Sequence, residues 1–358
     1  ELEGGIDLQL FGSLADLSVT GYNSKTVGVI LLTPAAPSTG YLQQASNAGR
    51  ISNKGIEVSL NLRPIARPNF AWDVGLQWGK NKNEVTDLLG IDAVDLPTGG
   101  YFTGAVGSAV KGSRVGVIRG QDFARCGRGV ILEDGTNVDA ACGSAPKGAL
   151  YIGADGFPAV DGTIRVIADG NPDWTGSVRS SVNLMRRLTL SALLDVKHGG
   201  QNWNGTKGAL YNFGTHKDTE FRNVDVVFGT NYMPAKPNGS GAVAGPGVGK
   251  TVKINQGWYQ GDGSGFGAVS AQFIEDAGYA KLREVSIGYT LESAGLTRLT
   301  SFSSIDLRLA GRNLKTWTDY TGVDPETNLG GAEVAIRGIE YFNNPQSKSF
   351  VFSIGLNR

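Results

Sequence analysis

Strict alternation of apolar and polar side chains constrains the fold of this chain more than any other feature of its sequence. The clearest segment, residues 55–63, puts Leu60 among the apolar side chains of one face and Asn61 among the polar side chains of the other. The same alternation recurs in residues 70–78, 305–312 and 350–357. Because successive side chains of a β-strand point to opposite faces, a period of two predicts strands with one apolar and one polar face.

Nine strands are predicted, and the links between them alternate between short and long. The long links follow the second, fourth, sixth and eighth strands and are rich in Gly, Asn, Asp and Pro, which mark loops. Short periplasmic turns and long extracellular loops are typical of transmembrane β-barrels, so the sequence predicts an all-β, antiparallel barrel. The predicted strands are 5–12, 16–31, 54–64, 69–86, 175–185, 187–198, 279–292, 303–315 and 348–357, and the long loops are 33–52, 89–174, 201–272 and 318–346.

The number of strands predicts that the barrel is larger than this chain. The last strand follows a long outer loop and therefore ends in the periplasm. If the strands are counted back from that end, the first strand starts on the extracellular side. The number of predicted strands, nine, is odd, whereas single-chain bacterial barrels have an even number of strands. We therefore expect residues 1–358 to be the C-terminal portion of a barrel whose earlier strands lie upstream.

Composition narrows the class of protein. The 358 residues carry 33 basic and 33 acidic side chains, and this balance argues against nucleic acid as a partner. No run of about 18 apolar residues predicts a membrane-spanning helix, whereas a barrel strand needs only about 9–11 residues, half of them apolar. The first residues lack the basic and apolar regions of an export signal, which indicates a mature fragment or part of a longer chain.

None of the motifs that carry bond chemistry is found, so we expect neither an enzyme nor a cofactor. A nucleophile elbow, a phosphate-binding loop and a dinucleotide-binding glycine motif are all missing. His198 and His216 lie far apart and do not have the spacing of zinc ligands. The acidic residues of loop 89–174 do not match a calcium-binding loop, so solvated turns are favoured over a metal site, and calcium in the outer loops stays open.

The two cysteines, Cys126 and Cys142, lie in one glycine-rich loop. In an exported protein we expect them to form a disulfide, and two unpaired thiols are the alternative. The bond would close a loop of about 15 residues and stabilise the fold by about 3 kcal/mol in the chain-entropy model.

Two further sets of residues are candidates for functional sites. Aromatic rings in the outer loops stack on sugars and anchor protein partners, although packing between neighbouring loops is the alternative. Charged residues on the polar faces of strands are expected to line a wet lumen. The aromatic candidates for ligand or lid contact are Trp203, Tyr211, Trp258, Tyr259, Trp317 and Tyr320, and the lumen-facing candidates are Asp73, Asp306, Arg308 and Arg312.

Five stretches, in order along the chain, resemble one family of barrels. One stretch, residues 309–326, contains GRNL and YTGVDPE, which resemble the G-x-N-L strand and Y-x-G-x-D-P-E loop that precede the final strand of SusC/RagA-type TonB-dependent transporters. The other stretches resemble that family's strand entries and the loop that leads back into the barrel. They are residues 3–8 (EGGIDL), 53–57 (NKGIE), 279–289 (YAKLREVSIGY) and the glycine- and aspartate-rich residues 153–174.

The resemblance implies a specific architecture and function. The family has a 22-stranded barrel with an N-terminal plug, so this chain corresponds to roughly its last nine or ten strands. It imports glycans, peptides or similar nutrients across the bacterial outer membrane, driven by TonB, under a lid formed by a SusD-like surface lipoprotein. The TonB contact would lie in the missing N-terminal part, and outer-membrane lipid would surround the wall.

One departure and two alternatives remain. Such barrels usually finish on an aromatic residue, and this chain has Arg358 in that place. A passive porin and a soluble or surface β-rich glycan-binding or adhesin protein are the alternative functions.

Overall fold

Nine long strands form a single antiparallel sheet, the wall sheet, in this computed structural model. The structure describes residues 1–12, 14–96, 104–237, 241–264, 269–292, 302–331 and 337–358, together with residues 295 and 298. Parts of the predicted loops 89–174, 201–272 and 318–346 therefore lie outside the described residues. The wall strands are β1 Leu2–Leu10, β2 Ala15–Pro34, β3 Gln43–Arg67, β4 Phe70–Asp87, β5 Trp174–Leu184, β6 Leu188–His198, β7 Tyr279–Leu291, β8 Ser304–Trp317 and β9 Ser349–Asn357.

The wall strands lie side by side in sequence order, from β1 to β9. Each strand pairs antiparallel with the next, so all the long links emerge at one end of the sheet and the short turns at the other. Within the described part of the chain, β1 and β9 each pair on one side only. The nine-stranded antiparallel sheet confirms the predicted fold class.

The predicted loop 33–52 is wrong over most of its length. β2 runs to Pro34 and β3 starts at Gln43, so the two strands form a long hairpin that rises beyond the other turns. Residues 43–53 carry small and polar side chains on both faces, and therefore show no alternation that would mark a strand. Pairing with β2 as far as its end sets their structure instead.

The register of the wall sheet separates apolar from polar side chains. One transverse row consists of aliphatic residues, and the adjacent row on the other face is polar. We call these two surfaces the apolar face and the polar face. The apolar row is Leu8, Leu17, Leu60, Leu76, Val178 and Leu194, and the polar row is Asp7, Ser18, Ser59, Gln77, Ser177 and Asp195.

The apolar face is exposed rather than covered by protein. Ile287 is 46% exposed, Leu309 is 47% and Phe352 is 62%. Trp72 and Trp78 lie on the same face at opposite ends of the β4 segment that alternates, and each is 36% exposed. A continuous apolar surface that no other part of the protein covers needs an apolar environment or a binding partner.

Among the described residues, no helix is both long enough and apolar enough to cross a lipid bilayer.

Most of the dry core of the molecule lies outside the wall sheet, in what we call the loop body: the described residues within 88–173, 199–278 and 318–346. Its buried side chains include Phe123, Leu150, Ile254, Phe273 and Ile339. The loop body contains short helices and strands, and backbone hydrogen bonds within its loops connect them. Its helices are α1 Val138–Ala141, α2 Gly205–Asn212 and α3 Gln256–Gln260, with 3₁₀ turns at Lys217–Glu220 and Ser270–Phe273 and a further one, Pro37–Thr39, in the β2–β3 link. Its strands are Ala93–Asp95, Val106–Val110, Val117–Phe123, Leu150–Tyr151, Val160–Asp169, Gln201–Asn204, Val224–Val226, Tyr232–Met233, Lys236–Pro237, Val243–Ala244, Val252–Ile254, Ile274–Asp276 and Ile339–Glu340.

A disulfide joins Cys126 and Cys142, whose Cα atoms are 5.9 Å apart. It closes a small subdomain with its own core, in which Val130 and Val138 are buried. The carboxylate of Asp139 accepts hydrogen bonds from three successive backbone N–H groups of the closed loop, those of residues 127–129. The cross-link and this carboxylate together fix the conformation of a segment that has little regular structure.

Candidate functional site: the loop body and the polar face beneath it

A cluster of charged side chains fastens the loop body to the wall sheet. The Nζ atom of Lys281 on β7 lies 2.7 Å from Asp324 Oδ1 and 2.7 Å from Glu326 Oε2, both in the β8–β9 link. The guanidinium of Arg283 binds both oxygens of Glu326 at 2.7 Å and also donates to Asp195 on β6. The side chain of Lys281 is only 4% exposed. The two carboxylates of the D-P-E motif therefore clamp a loop onto β7, and Arg283 links the same cluster to β6.

Electrostatics keep the Glu326 carboxylate of this clamp ionised. Burial alone would raise the pKa of Glu326, but hydrogen bonds from Arg283 and Lys281 outweigh it and lower the pKa to about 2. Hydrogen bonds that stabilise a carboxylate shift its titration to lower pH, so Glu326 stays charged throughout the physiological range. Lys281 and Arg283 could not be recognised as site residues from sequence, because both belong to a strand and their partners lie more than 40 residues away.

A cavity of about 600 Å³ lies at the polar face, next to the loop body. Tyr22, Asn53, Asn81 and Asn83 contribute hydroxyl and amide groups to its lining, and Glu57 contributes a carboxylate. A second cavity of about 460 Å³ adjoins it toward the short turns and shares residues with the first. The lining of the second cavity that is not shared includes Ser18, Thr20, Ser59, Gln77, Ser177 and Asp195. These linings offer many neutral hydrogen-bonding groups, which suit a polar solute.

The structure buries five of the six aromatic candidates inside the loop body. Trp203 and Tyr211 are fully buried, and Trp258, Tyr259 and Tyr320 are at most 6% exposed. They pack against rings from other loops, as Trp203 does against Tyr341 and Trp258 against Phe123, so in this structure they form core rather than contact surface. Trp317 is 50% exposed, but it is the last residue of β8 and lies on the apolar face, in the same transverse row as Trp78.

The buried rings also complete hydrogen bonds within the loop body. The hydroxyl of Tyr211 donates to Asp218, and the ring of His216 lies against it with centroids 4.9 Å apart. Burial raises the pKa of Tyr211 and the bond to Asp218 raises it further, so the hydroxyl remains a donor. Burial lowers the pKa of His216, which accepts a hydrogen bond from the Asp218 N–H through Nδ1.

The four charged candidates all lie on the polar face and have partners. Asp73 accepts from Arg63 at 2.9 Å. Asp306 accepts from Thr290 Oγ1 and from the side chain of Asn357. Arg308 and Arg312 donate to opposite oxygens of a single carboxylate, that of Glu284.

Known proteins place this geometry in a family. No protein-family model matches the chain. The chain is 25% identical to the TonB-dependent receptor P3 of Formosa agariphila over its whole length, and it covers 33% of that protein. TonB-dependent receptor P39 of the same organism is 25% identical over 99% of the chain. A stretch of 92 residues is 30% identical to the TonB-dependent receptor SusC of Bacteroides thetaiotaomicron. Over its whole length the chain is therefore similar to TonB-dependent receptors, and over a short stretch to SusC.

The fold of this chain agrees with solved structures of RagAB. The RagAB peptide transporter superposes with a TM-score of 0.64 and 18% identity, covering 99% of this chain and 34% of that one. The RagAB peptide importer in its closed-closed state gives a TM-score of 0.62 at 17% identity. The chain spans about a third of the length of the curated relatives it matches. Its fold is that of the C-terminal portion of their barrel, as the motifs predicted, and the relatives are named as receptors and transporters rather than enzymes.

Proposed function

We propose that this chain forms part of the wall and the outer loops of a TonB-dependent importer in the bacterial outer membrane. The imported substrate is a glycan, a peptide or a similar polar nutrient. In this proposal the apolar face contacts lipid, the polar face lines the lumen, and the loop body lies at the cell surface. The chain carries no bond chemistry and acts by binding and guiding the solute.

The exposed apolar face is the observation that carries the proposal. Backbone groups in hydrocarbon must be satisfied without water, and strands paired edge to edge satisfy them within the sheet. The apolar face then meets lipid tails, while the polar face keeps charges such as Asp73 and Arg308 in water. A soluble β-protein would bury the rows that this structure leaves bare.

The loop body supports a second part of the proposal, a lid partner. A SusD-like surface lipoprotein would rest on the outer side of the loop body, away from the wall sheet. The loop body has a continuous core of its own, so the partner would meet a preformed surface. The plug and the contact with TonB would come from the rest of the receptor.

The polar cavities support a hydrophilic substrate. Amide and hydroxyl side chains contribute to both linings, Arg337 adds a cation to the first cavity, and Glu57 is a carboxylate shared by both. Such groups form hydrogen bonds with the hydroxyls of a sugar or with a peptide backbone. A solute of this kind would exchange its hydration shell for wall contacts on the way through.

Uptake in living cells tests the proposal. A strain that lacks the full-length receptor should lose growth on some members of a panel of glycans and peptide mixtures supplied as the sole nutrient, and the native gene should restore it. The same growth should stop when TonB is removed. Growth that continues without TonB would indicate a passive porin and contradict the proposal.

Purification separates the proposal from the soluble alternative. The full-length receptor should stay in the outer-membrane fraction and require detergent for extraction. A monodisperse monomer in detergent-free buffer would instead identify a soluble or surface glycan-binding or adhesin protein.

A further inference from the structure

On the face of β2–β4 that carries the apolar rows, lysines follow the apolar residues toward the loop body. Toward the short turns, β3 carries Val58 and Leu60 on this face, and β4 carries Leu76 and Trp78. Toward the loop body, Lys80 is the next position after Trp78 on β4, whereas on β3 Ile56 lies between Val58 and Lys54. The four lysines are Lys25, Lys54, Lys80 and Lys82, which we call the lysine patch.

The strand register centres the lysine patch on Lys54. Lys82 of β4 is its direct cross-strand partner, and Lys80 is the diagonal neighbour toward the apolar rows. On the other side, Lys54 pairs with Asn23 of β2, so Lys25 is the diagonal neighbour there. Directly opposed side chains on one face have Cβ atoms about 5 Å apart, and diagonal ones about 7–8 Å. Four ammonium groups therefore converge on one small surface.

This concentration of positive charge is not neutralised within the protein. All four lysines are exposed, and within the described ranges none of them forms an ion pair. One carboxylate, Glu84, shares the patch, opposite Ser52 and diagonal to Lys54. The next acid along β4, Asp87, is paired with Arg50 at 3.8 Å. Like charges placed directly opposite on a sheet destabilise it, so an anion bound between Lys54 and Lys82 would relieve their repulsion.

Tryptophans mark the height of the lysine patch as a membrane boundary. Trp78 lies one position below Lys80 on the same face of β4. Trp174 starts β5 next to this level, and its ring stacks on His198 with centroids 5.1 Å apart. Trp is enriched where lipid headgroups meet water, and the long loops of barrels are extracellular. Under the proposed function, the lysine patch therefore lies among the headgroups of the outer leaflet.

We propose that the lysine patch binds the phosphate groups of a phosphorylated lipid of the outer leaflet. The inference rests on the proposed function, which puts the apolar face in the membrane. It commits to a lipid because the lysines continue the apolar face, so that one ligand would contact the aliphatic rows with its tails and the ammonium groups with its phosphates. Lysine ammonium groups are common ligands for phosphate, and each one near an anionic surface strengthens binding by about fivefold.

The test uses the full-length receptor in nanodiscs of zwitterionic phospholipid that contain a small fraction of labelled lipid A. Wild-type receptor should bind bisphosphorylated lipid A and bind the dephosphorylated form, which has the same acyl chains, far more weakly. The double variant Lys54→Gln/Lys82→Gln should bind the phosphorylated form about 25-fold more weakly. The matched control, Lys217→Gln/Lys253→Gln, removes two exposed lysines from the loop body and should bind like wild type.

Three results would overturn the inference. They are equal binding of the two lipid forms, wild-type binding by the patch variant, and displacement of the lipid by an equal concentration of inorganic pyrophosphate, which would indicate a site for free phosphates. Loss of the surface lipoprotein from the patch variant with unchanged lipid binding would assign the lysines to a protein partner and also overturn it. Membrane insertion of the barrel is measured independently, by its heat-dependent migration on gels. A barrel that inserts but binds the phosphorylated and dephosphorylated lipids equally refutes the lipid site alone. A chain that never inserts refutes the proposed function as well.

Discussion

Replacing Leu60 by arginine tests the assignment of the two faces most directly. Leu60 lies on the apolar face between Leu17 and Leu76. Along β4 the apolar face runs from Phe70 to Trp78, which corresponds to a band about 21 Å tall at 3.4 Å per residue and a tilt of about 40°. The row of Leu60 lies about 5 Å from the middle of that band, roughly halfway to its edge.

That depth sets the expected cost. Arginine on the lipid face of a barrel costs about 2–4 kcal/mol at the midplane and about 0–1 kcal/mol near the interface. Halfway out, we expect Leu60→Arg to lower the free energy of unfolding by about 2 kcal/mol. Denaturant titration of the full-length receptor in lipid vesicles, followed by tryptophan fluorescence, measures this difference.

The neighbouring residue provides the matched control. Asn61 lies on the polar face, opposite Asp16 on β2 and Gly75 on β4. An arginine there gains a carboxylate neighbour and stays in water, so Asn61→Arg should change the free energy of unfolding by less than about 0.5 kcal/mol. Equal destabilisation by the two arginines would refute the assignment of lipid to one face and water to the other.

Three further predictions concern the loop body and the wall strands next to it. Lys281→Met leaves the carboxylates of Asp324 and Glu326 without their buried cation and should destabilise the β8–β9 link by about 3 kcal/mol, seen as faster hydrogen exchange in residues 318–331. The pKa of Glu326 is lowered to about 2 in the folded state, so its contribution to the free energy of unfolding is present above the unfolded pKa of about 4.5 and is lost as pH falls toward 2. The free energy of unfolding should therefore depend on pH across this window, and Glu326→Gln should reduce that dependence. Trp203→Ala should cost about 3–5 kcal/mol because the ring is fully buried, whereas Trp317→Ala should cost less than about 0.5 kcal/mol, and thermal unfolding of the two variants should differ accordingly.

The wall strands were predictable because their pattern is local. Lipid on one side and water on the other require every second residue to be apolar, and a nine-residue window such as 70–78 shows this alone. β8 was predicted at 303–315 and runs from Ser304 to Trp317. The start of β3 was missed because residues 43–53 rise above the apolar rows, where neither face has to be apolar.

The loop body was not predictable in the same way, because its contacts join distant parts of the chain. Trp203 stacks on Tyr341, and Trp258 stacks on Phe123, across more than 130 residues in each case. A short window of sequence shows an aromatic residue in a glycine-rich loop but not its partner. The same holds for Lys281, whose position in an alternating strand gives no sign that a D-P-E motif will cover it. The aromatic candidates other than Trp317 were therefore chosen by residue type, and the fold used them as core.

The free margins of β1 and β9 have a practical consequence for handling this polypeptide. Each outermost strand shows a row of amide and carbonyl groups with no mate among the described residues, and such rows template the addition of further strands. In solution, copies of the nine-stranded sheet would pair through these edge strands, and contact between their apolar faces would strengthen the association. Material prepared from this segment alone would report on self-assembly, so binding and uptake have to be measured on the intact receptor.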